Sequence, residues 1–224
     1  VLFDVSFDLH AGQTLGIWGK RGAGKTTLLS IAAGLLFADS GSASFIGQDF
    51  KEMSDRKLAS LRRTEIGWVQ RKPPRMQLCA GEWIALAADP QHADAQARRD
   101  AQQALQRVGA GECYDLRWSD LTDGERTLVG IAGALVRKPR LLIADDPAVA
   151  LGADEREQVM RMLRSLADEQ GIAMLISAPD LASLAYTTRR GSLSGGRLIM
   201  ADERPTSSAE VIDMRRRRRT EQDR

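Results

Sequence analysis

At 224 residues, 43% hydrophobic and 28% charged, the chain has the size and apolar content for one compact domain with a sizeable interior. Its longest apolar stretch, residues 28–38, is too short to span a bilayer and is interrupted by Ser30 and Gly34, and no basic n-region or cleavage signal follows Val1, so neither a membrane span nor a signal peptide is expected. The net charge of +2 is local: Arg215, Arg216, Arg217, Arg218 and Arg219 supply five positive charges in a tail, and the mildly acidic remainder argues against a nucleic-acid partner.

Along the chain, residues 5–9 alternate apolar and polar side chains, as a half-buried strand does. Residues 14–18 form a short apolar strand ending at Gly19, and a helical pattern covers residues 26–36. Between strand and helix stand Gly19, Lys20, Arg21, Gly22, Ala23, Gly24, Lys25 and Thr26, which fit G-x-x-x-x-G-K-[ST]. The glycines let the backbone curl so that its N–H groups point at phosphate oxygens. Lys25 is placed to neutralise the β- and γ-phosphates and Thr26 to coordinate Mg²⁺. The helix beginning there, with Thr27 next in line, adds a favourable dipole end. A Gly-rich turn that binds nothing is the bland alternative, and the loop alone names only a superfamily.

Residues 42–46 read as a strand followed by a turn at Gly47, Gln48 and Asp49. Residues 51–63 read as a charged helix and residues 66–69 as a strand, after which Pro73 and Pro74 break regular structure. From residue 81 to about 108 the pattern is helical and Ala-rich, with a polar insert at 89–94, and a further helix is predicted over 122–136. Residues 141–144 are an apolar run consistent with a buried parallel strand. Helix over 155–169, strand over 172–176 and a strand pair over 191–201 turning at Gly195 and Gly196 complete the order. Alternating strands and helices favour an α/β fold with a parallel sheet. The strand-poor stretch between Pro73 and Val136 reads as an inserted helical lobe. Cys79 and Cys113 match no metal spacing and read as two reduced thiols in a cytosolic protein.

The apolar run ends in Asp145 and Asp146. In a parallel sheet such a strand lies beside the phosphate-loop strand, which brings Asp145 to the Mg²⁺ shell. Between loop and acidic strand, Leu121, Thr122, Asp123, Gly124 and Glu125 open a helix. Thr122 and Glu125 form a capping-box pattern, compatible with the helix start also serving as a phosphate-binding device. Leu193, Ser194, Gly195 and Gly196 spell a similar motif but precede an extended run, and Gly-Gly between β-like segments is hairpin chemistry.

In this ordered set of phosphate loop, helix-opening motif and acidic strand, the chain resembles the ATP-binding subunits of ABC transporters over essentially its whole length. Residues 49–69 are similar to the branch serving lipoprotein-release and macrolide-export systems, and residues 78–86 to the segment that follows the family's Gln loop. The resemblance implies a P-loop NTPase (RecA-like) parallel-sheet core, residues 1–72 and 137–205, an inserted all-helical subdomain, residues 73–136, and a basic tail, residues 206–224. It implies ATP and Mg²⁺ as ligands, with Thr26, Gln70 and Asp145 around the metal. Gln70 is preferred to the neighbouring Arg71 as the only amide. Thr122 and Gly124 then belong to the family signature, which caps the γ-phosphate held by a second ATP-binding subunit, identical or different. A transmembrane permease subunit is the expected partner, and the location is cytoplasmic, on the inner face of the plasma membrane, with a weak lipid-surface contact through the five tail arginines.

The departures from the family pattern lie among the hydrolytic parts. Asp146 stands where the family has the glutamate that polarises water. Ser177 begins the segment where a histidine switch is expected, and Gly152 replaces an aspartate that braces the dimer. Asp123 places a negative charge inside the signature. The family's adenine-stacking aromatic would precede Val1. Intact binding residues with eroded catalytic ones imply slow hydrolysis, with a non-hydrolysing regulatory subunit as the alternative. A member acting on ribosomes or DNA would carry two nucleotide domains or a long coiled coil, and neither fits here.

Overall fold

The structure, a computed structural model, describes residues 1–72, 77–90 and 93–201 and the backbone of residues 212–213. Pro73, Pro74, His92 and the five tail arginines lie outside the described residues. Along the chain the elements are β1 (Asp8–Leu9), β2 (Thr14–Trp18), α1 (Lys25–Ala32), β3 (Ser44–Phe45), β4 (Gln48–Asp49), α2 (Asp55–Thr64), β5 (Ile66–Val69), α3 (Ala80–Ala88), α4 (Ala95–Arg107), α5 (Asp123–Leu135), β6 (Leu141–Asp145), α6 (Ala153–Gln170), β7 (Ala173–Ala178), β8 (Arg189–Ser194), β9 (Arg197–Met200) and β10 (Ile212–Asp213).

A six-stranded sheet in the order β5-β6-β7-β2-β8-β9 forms the centre. All its pairings are parallel except the closing hairpin of β8 with β9. Every residue of β6 and β7 is buried, which is why both read as near-continuous apolar runs rather than alternating ones. The pleat sends alternate side chains to opposite faces. Leu142 and Ala144 join a cluster with residues of α3, α4, α5 and α6, whereas Leu141 and Ile143 join Leu28 and Leu29 of α1 and Leu58 of α2. Each of these fully buried leucines and isoleucines stabilises the fold by about 1.5–3 kcal/mol. The sheet is therefore covered on both faces, as a P-loop NTPase fold is.

The helices α3, α4 and α5 fall between β5 and β6 and pack on one another. Their contact requires Gly133 in α5: a Cβ there would lie 2.3 Å from the Trp83 ring of α3.

Four local expectations are corrected. The first strand is confined to Asp8–Leu9, which pairs with β10. Helix α1 stops at Ala32 rather than residue 36, because Gly34 takes φ +64° and the N–H groups of Leu35 and Leu36 both turn back to the Ser30 carbonyl. The turn after β3 is made by Ile46 and Gly47, both at positive φ, so Gln48 and Asp49 are strand. Helix α2 begins at Asp55, where the Ser54 hydroxyl accepts from the Lys57 N–H as N-cap. The Gly195–Gly196 pair does close the β8–β9 hairpin, with Ser194 opposite Arg197.

Candidate functional site

The site lies at the carboxyl ends of the central strands β2, β6 and β7. From Trp18 the chain passes through Gly19, Lys20, Arg21, Gly22, Ala23 and Gly24 into α1. Gly22 and Gly24 take φ +83° and +102°, left-handed conformations that strain any side-chain-bearing residue, and they curl the loop. No side chain caps α1 at Gly24, so the first-turn N–H groups are left for an anion, with the positive end of the helix dipole behind them. Lys25 opens that helix and folds back over its own loop, its ammonium donating to the carbonyls of Gly19 and Lys20. Partial burial pushes the Lys25 ammonium below the ordinary lysine range. The nearby Asp146 and Asp145 oppose that shift, while Arg71 adds to it. A phosphate group would relieve it.

The acidic strand β6 does not lie directly beside β2, as expected from the sequence, because β7 pairs with both and stands between them; the carboxyl end of β6 nevertheless brings the acids to this loop. The hydroxyl of Thr26, followed in α1 by Thr27, donates to Asp145 Oδ2 at 2.8 Å, although 119 residues separate them in sequence. The intervening strand β7 places Ser177 directly opposite Asp145 in register. The fully buried Ser177 hydroxyl donates to Asp145 Oδ1 at 2.7 Å and accepts from the Asp146 N–H at 3.0 Å. One oxygen thus fixes both acids. Asp146 itself takes φ +49°, a left-handed conformation costing a non-glycine residue about 1–2 kcal/mol. That turn ends the strand, so consecutive residues both present carboxylates to the site instead of alternating across the sheet.

Asp146 is almost wholly buried, and burial pushes its carboxyl above the usual carboxylate range. The opposing influence is Arg71, whose Nη2 donates to Asp146 Oδ2 at 2.7 Å. Gln70, the amide preferred from the sequence, is exposed at the end of β5, and it is the neighbouring Arg71 that reaches Asp146.

Thr122 and Gly124 stand at the start of α5. The Thr122 hydroxyl accepts from the Glu125 N–H, and the Glu125 carboxylate accepts from the Thr122 N–H at 2.7 Å, a complete capping box. Asp123 is paired with Arg126 at 3.0 Å. Gly124 faces Glu155 of α6, which also accepts from the Gly152 N–H. Glu125 also shares a side-chain hydrogen bond with Cys113, and Leu121 packs into the core.

Two contacts at the site escaped the sequence reading. For Ser177 the one available signal was a lone hydroxyl in an otherwise apolar strand, a position that demands a hydrogen-bond partner once buried but does not say which. The Arg71–Asp146 pair joins residues 75 apart and left no signal.

A family model described as ABC transporter matches residues 2–149, more than half of the chain. The lipoprotein-releasing system ATP-binding protein LolD 2 of Rhodospirillum rubrum is 34% identical over 205 residues, covering 90% of this chain and 89% of that protein. LolD of Shewanella frigidimarina is 34% identical over 213 residues, covering 94% and 89%. Among solved structures, a dimeric ATP-binding cassette in a post-hydrolysis state bound to ADP and Pi superposes with a TM-score of 0.81 at 24% identity, covering 92% of this chain and 91% of that one, a likeness of fold. The cbiO1 protein of Clostridium perfringens, part of the ABC transporter complex cbiONQ, has a TM-score of 0.77 at 27% identity, with 84% and 76% covered.

Proposed function

We propose a mechanism from one premise: this chain belongs to the ABC transporter family, as an ATP-binding subunit. The observation that carries the mechanism is the Thr26–Asp145 hydrogen bond, which joins the phosphate loop to the acidic strand. The loop amides and Lys25 bind the β- and γ-phosphates of ATP. The hard oxygens of Thr26 and Asp145, adjacent and anchored by Ser177, suit Mg²⁺, which takes one or two protein oxygens and completes its shell with phosphate and water. The donor set fits that ion, since Thr26 and Asp145 offer it only oxygen, from a hydroxyl and a carboxylate 2.8 Å apart. When bound, Mg²⁺ supplies charge neutralisation on the phosphates.

Hydrolysis needs a base for the water that attacks the γ-phosphorus as the bond to the β-bridging oxygen breaks. Asp146 takes that role, accepting the water's proton. Its side chain is one methylene shorter than the family glutamate, and a misplacement of about 1 Å costs on the order of 100-fold in rate. Turnover is accordingly slow. Ser177, which begins the segment where the family has its switch histidine, orients the acids but offers no imidazole.

The subunit pairs with a second ATP-binding subunit and acts on a membrane permease. Thr122, Gly124 and the N-terminus of α5 meet the γ-phosphate held by the other subunit, where Asp123 weakens the contact by repulsion. Among the described residues no helix is long and apolar enough to cross a membrane. As an ATP-binding subunit acting on a separate permease, the chain takes a peripheral position on the cytoplasmic face. The tail arginines add attraction to anionic headgroups; liposome co-sedimentation unchanged by removing them would end that part of the reading. The similarity to LolD proteins makes lipoprotein release the first transport process to test.

Single-turnover cleavage of labelled ATP by the purified chain tests the mechanism. Slow but clear product formation is expected. Tight Mg-ATP binding with no product formed would instead favour the non-hydrolysing regulatory role, the reading favoured by the eroded catalytic positions.

A further inference from the structure

We propose that Arg71 is the γ-phosphate reader of this site: its guanidinium, the counter-ion of Asp146 in the structure, transfers to the γ-phosphate when a triphosphate binds and so releases the Asp146 carboxylate. The inference rests on the nucleotide-binding reading above and names the residue that tells ATP from ADP.

The two partners differ in freedom. The Asp146 side chain is 6% exposed and its backbone N–H is held by Ser177, whereas the Arg71 side chain is 46% exposed and enters from solvent just beyond β5. If the pair opens, the arginine moves. Its contact with Asp146 uses Nη2 alone, a small part of a fork with five donors. That fork matches the paired oxygens of a phosphate better than one carboxylate oxygen does, and a phosphate offers more charge.

The charges also share one neighbourhood. The Lys25 ammonium is influenced by Asp146, Arg71 and Asp145 together. A phosphate chain seated on Lys25 therefore brings its terminal group among two cations and two carboxylates. ADP ends one phosphate short and leaves the Arg71–Asp146 pair closed. ATP presents a competing anion to Arg71 and, through the same movement, uncovers the carboxylate that serves as base. Arrival of the γ-phosphate and availability of Asp146 become one event. Gln70, by contrast, is exposed at the end of β5.

The test compares Asp146→Asn with the double variant Arg71→Met/Asp146→Asn. Both lack the Asp146 charge, so any difference between them belongs to Arg71 and not to an unpaired acid. Calorimetric titration with a non-hydrolysable ATP analogue and with ADP, each with Mg²⁺, gives the ratio of the two affinities. Loss of a charge-assisted contact predicts about a tenfold or greater weakening for the triphosphate, with ADP affinity changed less than about twofold. An intermediate ratio is expected for Arg71→Lys/Asp146→Asn, which keeps the charge without the fork. Equal ratios in Asp146→Asn and Arg71→Met/Asp146→Asn would overturn the proposal while leaving nucleotide binding intact. Failure of the unsubstituted chain to bind either nucleotide would instead remove the underlying reading, and this proposal with it.

Discussion

Replacing Ser177 with Ala removes a single oxygen from the most enclosed point of the site. That hydroxyl donates to Asp145 Oδ1 and accepts from the Asp146 N–H, with no solvent exposure to compensate for its loss. A hydrogen bond to an ionised group contributes about 1.5–3 kcal/mol, and leaving a buried N–H without a partner costs about 1–3 kcal/mol. The two effects share one atom and overlap, so the expected destabilisation is about 3 kcal/mol. For a chain of this length that corresponds to a melting temperature lower by roughly 6–12 °C. Among the described residues Asp145 would retain only the Thr26 hydrogen bond, and if Asp145 holds Mg²⁺ as proposed, losing an outer partner weakens metal affinity about 10- to 100-fold. Urea denaturation followed by circular dichroism gives the first quantity, and the Mg²⁺ dependence of nucleotide binding gives the second. A stability change below about 0.5 kcal/mol, the range of ordinary surface substitutions, with unaltered Mg²⁺ dependence would refute the idea that Ser177 holds the two acids.

Three further outcomes follow from the same geometry. Asp146→Glu supplies the methylene to which the proposed slow turnover is attributed and should raise steady-state phosphate release at least about tenfold; an unchanged rate would contradict that explanation. Because burial raises the Asp146 carboxyl in the fold, its favourable contribution is present at acid pH and is lost as pH rises through the folded value. Asp146→Asn should therefore stabilise the protein more at pH 7 than at pH 4, read from urea midpoints, and an equal offset at both would contradict the assigned cause. Gly133→Ala drives a methyl into the Trp83 ring and should cost about 1–3 kcal/mol by overpacking, seen as a lower melting temperature with altered tryptophan emission. Unperturbed melting would mean that α3 and α5 are not packed this tightly.

The phosphate loop and the acidic strand were legible because each is a local pattern with a physical requirement. Glycines must curl a backbone, and a fully buried strand must be apolar until it reaches the site. Those two segments, with the strand-helix alternation around them, fix the fold class. The end of α1 was not legible: Leu35 and Leu36 continue an apolar pattern, yet the left-handed Gly34 turns the chain and leaves both exposed. The hairpin at Ile46 was hidden for a related reason, since a β-branched residue at positive φ contradicts local preference and is imposed by the turn. The roles of Ser177 and Arg71 depend on register and on side chains meeting across the sheet. Ser177 lies opposite Asp145 only because β6 and β7 pair in that register, a tertiary fact that no window of sequence contains. Arg71 competed with Gln70 on residue type alone, and the direction taken by the chain after β5 is what carries the guanidinium to Asp146.

Calorimetric titration of Mg-ATP into the purified chain, beside the Lys25→Ala variant, asks whether the phosphate loop holds the nucleotide. Saturable binding that requires Mg²⁺ and disappears with the Lys25 ammonium is expected. Heats no different from dilution for the unsubstituted chain, or full affinity without Lys25, would contradict that expectation.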